Sequence, residues 1–319
     1  MELTFSLIQP IQTGMSAVVS VPRATCAQIN RAQVDARLSG CACLPSLSTF
    51  DSALRELLDA DQRYTSQIAE IIRRDPSLAT RLLHMVNAVH RGSTKAPTNI
   101  DDAVFYLGVR QIRQLAMLTQ IIEDFQKLTQ KQSFPWKPFW RHCIATALMT
   151  REIINLRQSR EDEIDYVAGL LHDVGKIVMA SSFPEHFQEI HQRRAEVGGD
   201  LMSIEREVLG VDHAELGAMY LRKQRLPEVY VEIVQHHHAP QLARHHTHVA
   251  AAVSLSDMLV RHAKIGDSGN HAEVAFDSWL ESAGWKILFG QQNETERCFL
   301  WTSLRESLER IPAVLESLV

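Results

Sequence analysis

Cysteine is scarce in this chain, and its spacing is unhelpful to any covalent framework. The five present among 319 residues form an odd set with no pair of CxxC motifs, which excludes a disulfide scaffold and a zinc ribbon and points to a reducing compartment. Cys41-Ala42-Cys43 has no second thiol or histidine cluster nearby, so it reads as small residues in a linker, with a metal or redox pair as the lesser alternative. A cationic excess is missing too. Lys and Arg number 33 against 38 Asp and Glu, a net charge of −5 with a pI near 6.3, so the basic surface that nucleic-acid binding requires is absent and no such partner is expected. Long apolar runs are also lacking. No window approaches the ~20 continuous apolar residues of a membrane span, and Met1-Glu2-Leu3-Thr4-Phe5 has no positive n-region before Gln9, Pro10, Gln12 and Thr13 break the stretch. The expectation is a cytoplasmic protein without a membrane partner. No strand series, P-loop or internal repeat is present, and the fold class expected is all-α.

What the chain does have is helical periodicity. Residues 1–43 carry Pro10, Gly14, Pro22 and Gly40 and read as an amino-terminal extension with one short helix. In residues 44–128, Tyr64, Ile68, Ile71 and Ile72 make one apolar face, and Leu78, Leu82, Met85 and Val86 another. Asp75-Pro76 between them is a helix-start signal. Thr98 and Asp101 resemble a capping box ahead of Ala103, Val104 and Leu107. Both faces are read as core. In residues 266–319 a Gly266–Asn270 loop precedes a stripe of Trp301, Leu304, Leu308, Ile311, Leu315 and Leu318, which suits packing on a helix of the same domain, with a dimer contact as the alternative. Pro312 is expected to kink or split that helix.

The chemistry lies in residues 129–265. Gly169-Leu170-Leu171-His172-Asp173-Val174-Gly175-Lys176 pairs an imidazole with a carboxylate, ligand types that hold divalent metals, and the carboxylate can bridge two ions. Ile164, Val167, Leu171, Val174 and Val178 recur every three or four residues, placing the pair beside the buried stripe of one helix. Further donors are His142, His213, His237, His238 and Asp257. Taken singly each has a bland reading: His142 as a packed histidine, His213 as a solvent-facing residue after an Asp212 cap. Asp257, within Val253-Ser254-Leu255-Ser256-Asp257-Met258-Leu259, needs a cation, donor or metal beside it, since a buried carboxylate without a partner costs several kcal/mol. His245-His246-Thr247-His248 reads as a polar loop entering the helix that carries Asp257.

The order Trp140-Arg141-His142, Leu171-His172-Asp173, Asp212-His213-Ala214-Glu215, His237-His238, Ser256-Asp257 resembles the HD superfamily of metal-dependent phosphohydrolases. Upstream, Leu44-Pro45-Ser46-Leu47, Ile71-Ile72-Arg73-Arg74-Asp75-Pro76, Leu82-Leu83 with Asn87, and Ala103-Val104 with Leu107-Gly108 are similar to the amino-terminal half of the HDOD family, the HD-related output domain. The resemblance spans roughly residues 40–265. It implies a two-lobed helical HDOD domain over 44–265, with lobes at 44–128 and 129–265, an HD-type helical core, and extra carboxy-terminal helices at 266–319. It also implies one or two divalent ions of Fe, Mn, Zn or Mg. His142, His172, Asp173 and Asp257 would hold one, and His213, His237 and His238 a second, with Asp173 bridging. Many family members lack these ligands and act without hydrolysis, whereas this chain keeps the full set. The implied role is bacterial signal transduction, with a regulatory protein partner or small ligand bound and no hydrolysis. The alternative is a metal-dependent phosphohydrolase or phosphodiesterase using Asp173 and Lys176, the latter offsetting phosphoryl charge; a solvated cation is the bland reading of Lys176. The HD-GYP relatives that cleave cyclic di-GMP follow their paired histidines with Glu and then Gly-Tyr-Pro. This chain has Ala239-Pro240-Gln241 there, which weighs against that substrate.

Overall fold

The computed structural model describes Cys26 and residues 29–40, 134–157, 164–270, 274–275 and 278–316. The faces expected between 44 and 128, the Cys41-Ala42-Cys43 pair and Leu318 lie outside the described residues. Those described are helical, with no strand among them: α1 (Arg31–Ser39), α2 (Trp136–Leu156), α3 (Ile164–Leu171), α4 (Val174–Ser182), α5 (Pro184–Val197), α6 (Leu201–Leu209), α7 (His213–Lys223), α8 (Glu228–His236), a 3-10 turn (Pro240–Leu242), α9 (Thr247–His262), α10 (Ala283–Phe289) and α11 (Glu294–Glu316).

Local signals set the boundaries. Asp200 caps α6 by accepting from the Ser203 amide, and Gly210, at φ 83°, ends it in the left-handed region that L side chains disfavour. Asp212 caps α7 through the Glu215 amide, which starts that helix on His213. Helix α2 is the spine. Its buried residues include Phe139, Ile144, Met149 and Ile153, and it packs against α3, α9 and α11. A buried ion pair, Arg151 to Asp165 at 2.7 Å, fastens it to α3. Helix α11 lays Leu304, Leu308, Ile311 and Leu315 into the core and is not split at Pro312. Of the amino-terminal extension the described residues include α1, which docks on α7. Ile29, Val34 and Leu38 are buried, Lys223 Nζ bonds Ser39 Oγ at 2.6 Å, and Arg31 pairs with Glu215.

The stripe from Ile164 to Val178 is two helices rather than one. Helix α3 ends at Leu171 and α4 begins at Val174, so His172 and Asp173 form the turn between them. The apolar spacing stays in phase across the break, which is why periodicity alone does not reveal it. Glycine makes the turn's surroundings tight. A methyl at Gly175 would stand 1.8 Å from the carbonyl oxygen of His213, and one at Gly169 2.7 Å from Ala147 Cα. The first turns of α4 and α7 therefore meet backbone to backbone, and α3 sits directly on α2.

Gly175→Ala is expected to destabilise the protein by about 3 kcal/mol, the upper end of overpacking costs, because the obstacle is backbone and cannot rotate away. Chemical denaturation of the two proteins measures this.

Candidate metal centre

Five segments converge on one buried point. Helix α2 supplies His142, the α3–α4 turn His172 and Asp173, the start of α7 His213, the end of α8 His237 and His238, and α9 Asp257. Their donor atoms fall into two groups, His142/His172/Asp257 and His213/His237/His238, each with its atoms within 4.8 Å of one another. Asp173 lies between the groups. Its Oδ2 is 3.4 Å from His172 Nε2 and 3.9 Å from His142 Nε2, while its Oδ1 is 3.3 Å from His213 Nε2 and 3.9 Å from His237 Nε2. His236, His245, His246 and His248 are in neither group. The amides of Arg244, His245 and His246 donate to Glu232, which folds that segment into the loop before α9.

The imidazoles are fixed by their outer nitrogens. His172 Nδ1 donates to Gly169 O and His237 Nδ1 to Val234 O, both at 2.7 Å, using carbonyls that a helix end leaves without intrahelical partners. Each ring then turns Nε2 inward. Those two nitrogens and Asp173 Oδ1 are buried and make no hydrogen bond. Leaving buried acceptors unmet costs about 1–3 kcal/mol apiece, and here the unmet lone pairs face common points. A divalent cation fits such a donor set: imidazoles in the neutral, Nε2-donating tautomer with a bridging carboxylate.

His213 and Asp257 are held differently. His213 Nδ1 donates to Glu205 Oε2 at 2.7 Å, and its backbone amide reaches the same oxygen at 2.9 Å. His213 Nε2 and His238 Nε2 are 2.8 Å apart. Asp257 Oδ1 lies 3.1 Å from His142 Nε2, and Arg261, one turn on, lies 3.6 Å from Oδ2. Lys176 is buried, with Nζ bonded to Asp173 Oδ2 at 2.6 Å, so it is not the solvated helix cation of the bland reading. His142 and His213 are likewise only 1% exposed. Sequence reasoning missed Glu205 and Arg261. The available signal for Glu205 was its register: Leu201, Glu205, Val208 and Leu209 form the buried face of α6, with a carboxylate at an apolar position.

Charge and burial set the protonation states. Burial pushes His142 down, and Asp257 only partly offsets it. Burial, reinforced by His172 and His213, lowers His237 from 6.5 to about 3, and His238 falls well below its ordinary value for the same kind of reason. For His172, burial lowers the pKa but the Asp173 carboxylate outweighs it, and the net direction is up. Burial opposes ionisation of Asp173 and Asp257, yet Lys176 and His172 around the first, and His142 and Arg261 around the second, hold both well below the usual carboxylate range.

Metal-free protein is therefore expected to lose stability on acidification. A histidine depressed on folding stabilises above its unfolded pKa of 6.5, and for His237 that contribution fades as the pH falls from 6.5 toward 3. The slope is about 1.4 kcal/mol per pH unit for each proton the unfolded state takes up in excess. His142 and His238 act in the same direction and His172 opposes them. Urea midpoints between pH 7 and 4, with chelator present, measure the balance.

Comparison with known proteins places this architecture. A protein of Treponema pallidum (strain Nichols), itself uncharacterized, is 24% identical over 223 residues, covering 68% of this chain; the chain spans 42% of that relative's length. An HDOD domain protein of unknown function from Geobacter sulfurreducens superposes with a TM-score of 0.73 at 21% identity, over 91% of this chain and 98% of that one. A proposed phosphohydrolase from Shewanella amazonensis SB2B gives 0.64 at 20% identity, over 90% and 98%. A proposed signal transduction protein from Marinobacter aquaeolei VT8 gives 0.60 at 19%, over 91% and 62%. At such identities these structures speak to the fold alone. Residues 44–240 match the HDOD domain, and over that span, well above half its length, this helical chain belongs to the HDOD family.

Proposed function

We propose that this chain is a non-hydrolytic regulatory protein of bacterial signal transduction, in which a divalent-metal centre braces the lobe over residues 129–265 while a protein partner or small ligand is bound. His142, His172, Asp173 and Asp257 would hold one ion and His213, His237 and His238 a second, with Asp173 common to both. A bound divalent ion would supply a cross-link among helices that are distant in sequence. The observation that carries the reading is the enclosure of the site. His142, His172, Asp173, His213 and His237 are all at most 1% exposed, whereas a hydrolytic metal keeps an open coordination position for water or substrate. Nor is any helix among the described residues long and apolar enough to cross a membrane, in keeping with a cytoplasmic role.

One observation favours the alternative of a metal-dependent phosphohydrolase. A cavity of about 750 Å³ reaches His142 and is lined by Arg261, His262 and Lys264 along with Asp267 and Asn270. Its cationic side would suit a phosphate ester. In that reading Lys176 holds the Asp173 carboxylate ionised and in place.

Protein purified without a histidine tag is expected to contain one or two divalent ions per chain by elemental analysis. His172→Ala with Asp173→Ala is expected to lose them, and with them about 2.7 kcal/mol of stability for an ion present at a hundred times its dissociation constant, seen as a lower unfolding temperature. Cyclic and linear nucleotides incubated with Mn, Fe or Mg should remain intact. Steady metal-dependent turnover, abolished in Asp173→Asn, would replace this reading with the alternative.

A further inference from the structure

We infer that Glu205 is a positioning residue for the half of the centre formed by His213, His237 and His238, and that it sets the affinity of that half without touching the ion. The inference rests on the metal-centre reading above. Glu205 is 2% exposed on the inner face of α6, and no lysine or arginine pairs with it among the described contacts. A buried carboxylate of this kind is costly unless its hydrogen bonds recover the loss, and its partners are both on one residue: the ring Nδ1 and the backbone amide of His213. One carboxylate oxygen thus fixes the ring's tautomer and rotation and also the first turn of the helix that carries it.

His172 and His237 lean on neutral carbonyls, so of these three rings His213 is the one backed by a carboxylate. A carboxylate behind a ligating imidazole orients the ring and strengthens its donation to a metal, and losing such a partner typically weakens binding by about 10–100-fold. The two halves also differ in their fixed charges. Lys176 bonds the Asp173 oxygen that faces His142 and His172, and Arg261 lies beside Asp257. Cations thus flank the His142/His172/Asp257 group, whereas an anion backs the other. Loss of Glu205 should therefore be felt by one ion and not by both.

The experiment is a cobalt(II) titration of the full chain, followed by visible absorption against a competing chelator, for wild type, Glu205→Gln and Glu205→Ala. Glutamine retains the shape and an acceptor oxygen but removes the charge. In wild type, two ions are expected to bind. One of them should weaken about tenfold in E205Q and up to about a hundredfold in E205A, while the other is unchanged. Metal-free E205Q should melt close to wild type, and imidazole nitrogen NMR of the metal-free proteins should show the Nδ1–H form of His213 in wild type and a mixture of tautomers in E205A. Two ions bound with equal affinity in wild type and E205Q would overturn the inference and leave the metal centre standing. A wild type that binds no cobalt would overturn the metal centre and this inference with it. Should E205A fail to fold, E205Q alone decides.

Discussion

The packing of helices α2 to α9 is organised around the Asp173 carboxylate, whose two oxygens face different sets of imidazoles. Everything that brings those sets together acts through backbone close to Asp173. The break between α3 and α4 puts the residue in a turn, at φ −99° and ψ 13°, so its side chain projects between helices instead of along one. Gly175 lets the start of α4 touch the start of α7, which brings His213 to Oδ1. Gly169 seats α3 on α2, which brings His142 toward Oδ2. The sequence Gly-Leu-Leu-His-Asp-Val-Gly-Lys is thus a packing instruction as much as a ligand motif. Its glycines set the interhelical distances that its histidine and aspartate require.

Much of this could be read without coordinates, and the parts that could not share a cause. Helical character, the cap at Asp212 and the inward stripe of α11 follow from residue spacing, which is local information. The convergence of His142, His172, Asp173, His213, His237, His238 and Asp257 was visible only as an order of motifs resembling a family, since no periodicity links positions more than a hundred residues apart. The α3–α4 break was hidden because a two-residue turn leaves the apolar stripe in phase. Glu205 was hidden because glutamate is ordinarily a surface residue, and only its place between Leu201 and Val208 marks it as buried. Lys176 was named from its place beside the pair, but its burial was not legible: lysine at i+3 from aspartate is common on solvated faces, and nothing in the sequence says that this face is covered.

Electrostatics explains why so polar a cluster can be buried. Asp173, Asp257 and Glu205 are three carboxylates, and Lys176 and Arg261 are the two fixed cations placed against them, leaving one negative charge in excess if the imidazoles are neutral. Burial itself drives His142, His237 and His238 toward neutrality, which preserves lone pairs at the cost of leaving the excess negative charge uncompensated. A cluster of this composition favours cations at its centre; burial resists protons at His142, His237 and His238, whereas Asp173 draws one toward His172.

That preference would join a bound metal to the mechanics of the fold. The candidate ligands come from α2, the α3–α4 turn, α7, α8 and α9, so an ion held by them would constrain the segments that carry most of the described core. Free energy of binding would then appear as free energy of folding, and occupancy would be reported as rigidity at surfaces remote from the ligands. Helix α1 illustrates how short the path can be: it is tied to α7 through Glu215 and Lys223, and Glu215 is two residues from His213. In the regulatory reading a partner resting on such a surface would sense the state of the centre without reaching it. A hydrolytic enzyme would need open access as well, and the cavity that reaches His142 and the half-buried His238 are the places on this site where it would lie.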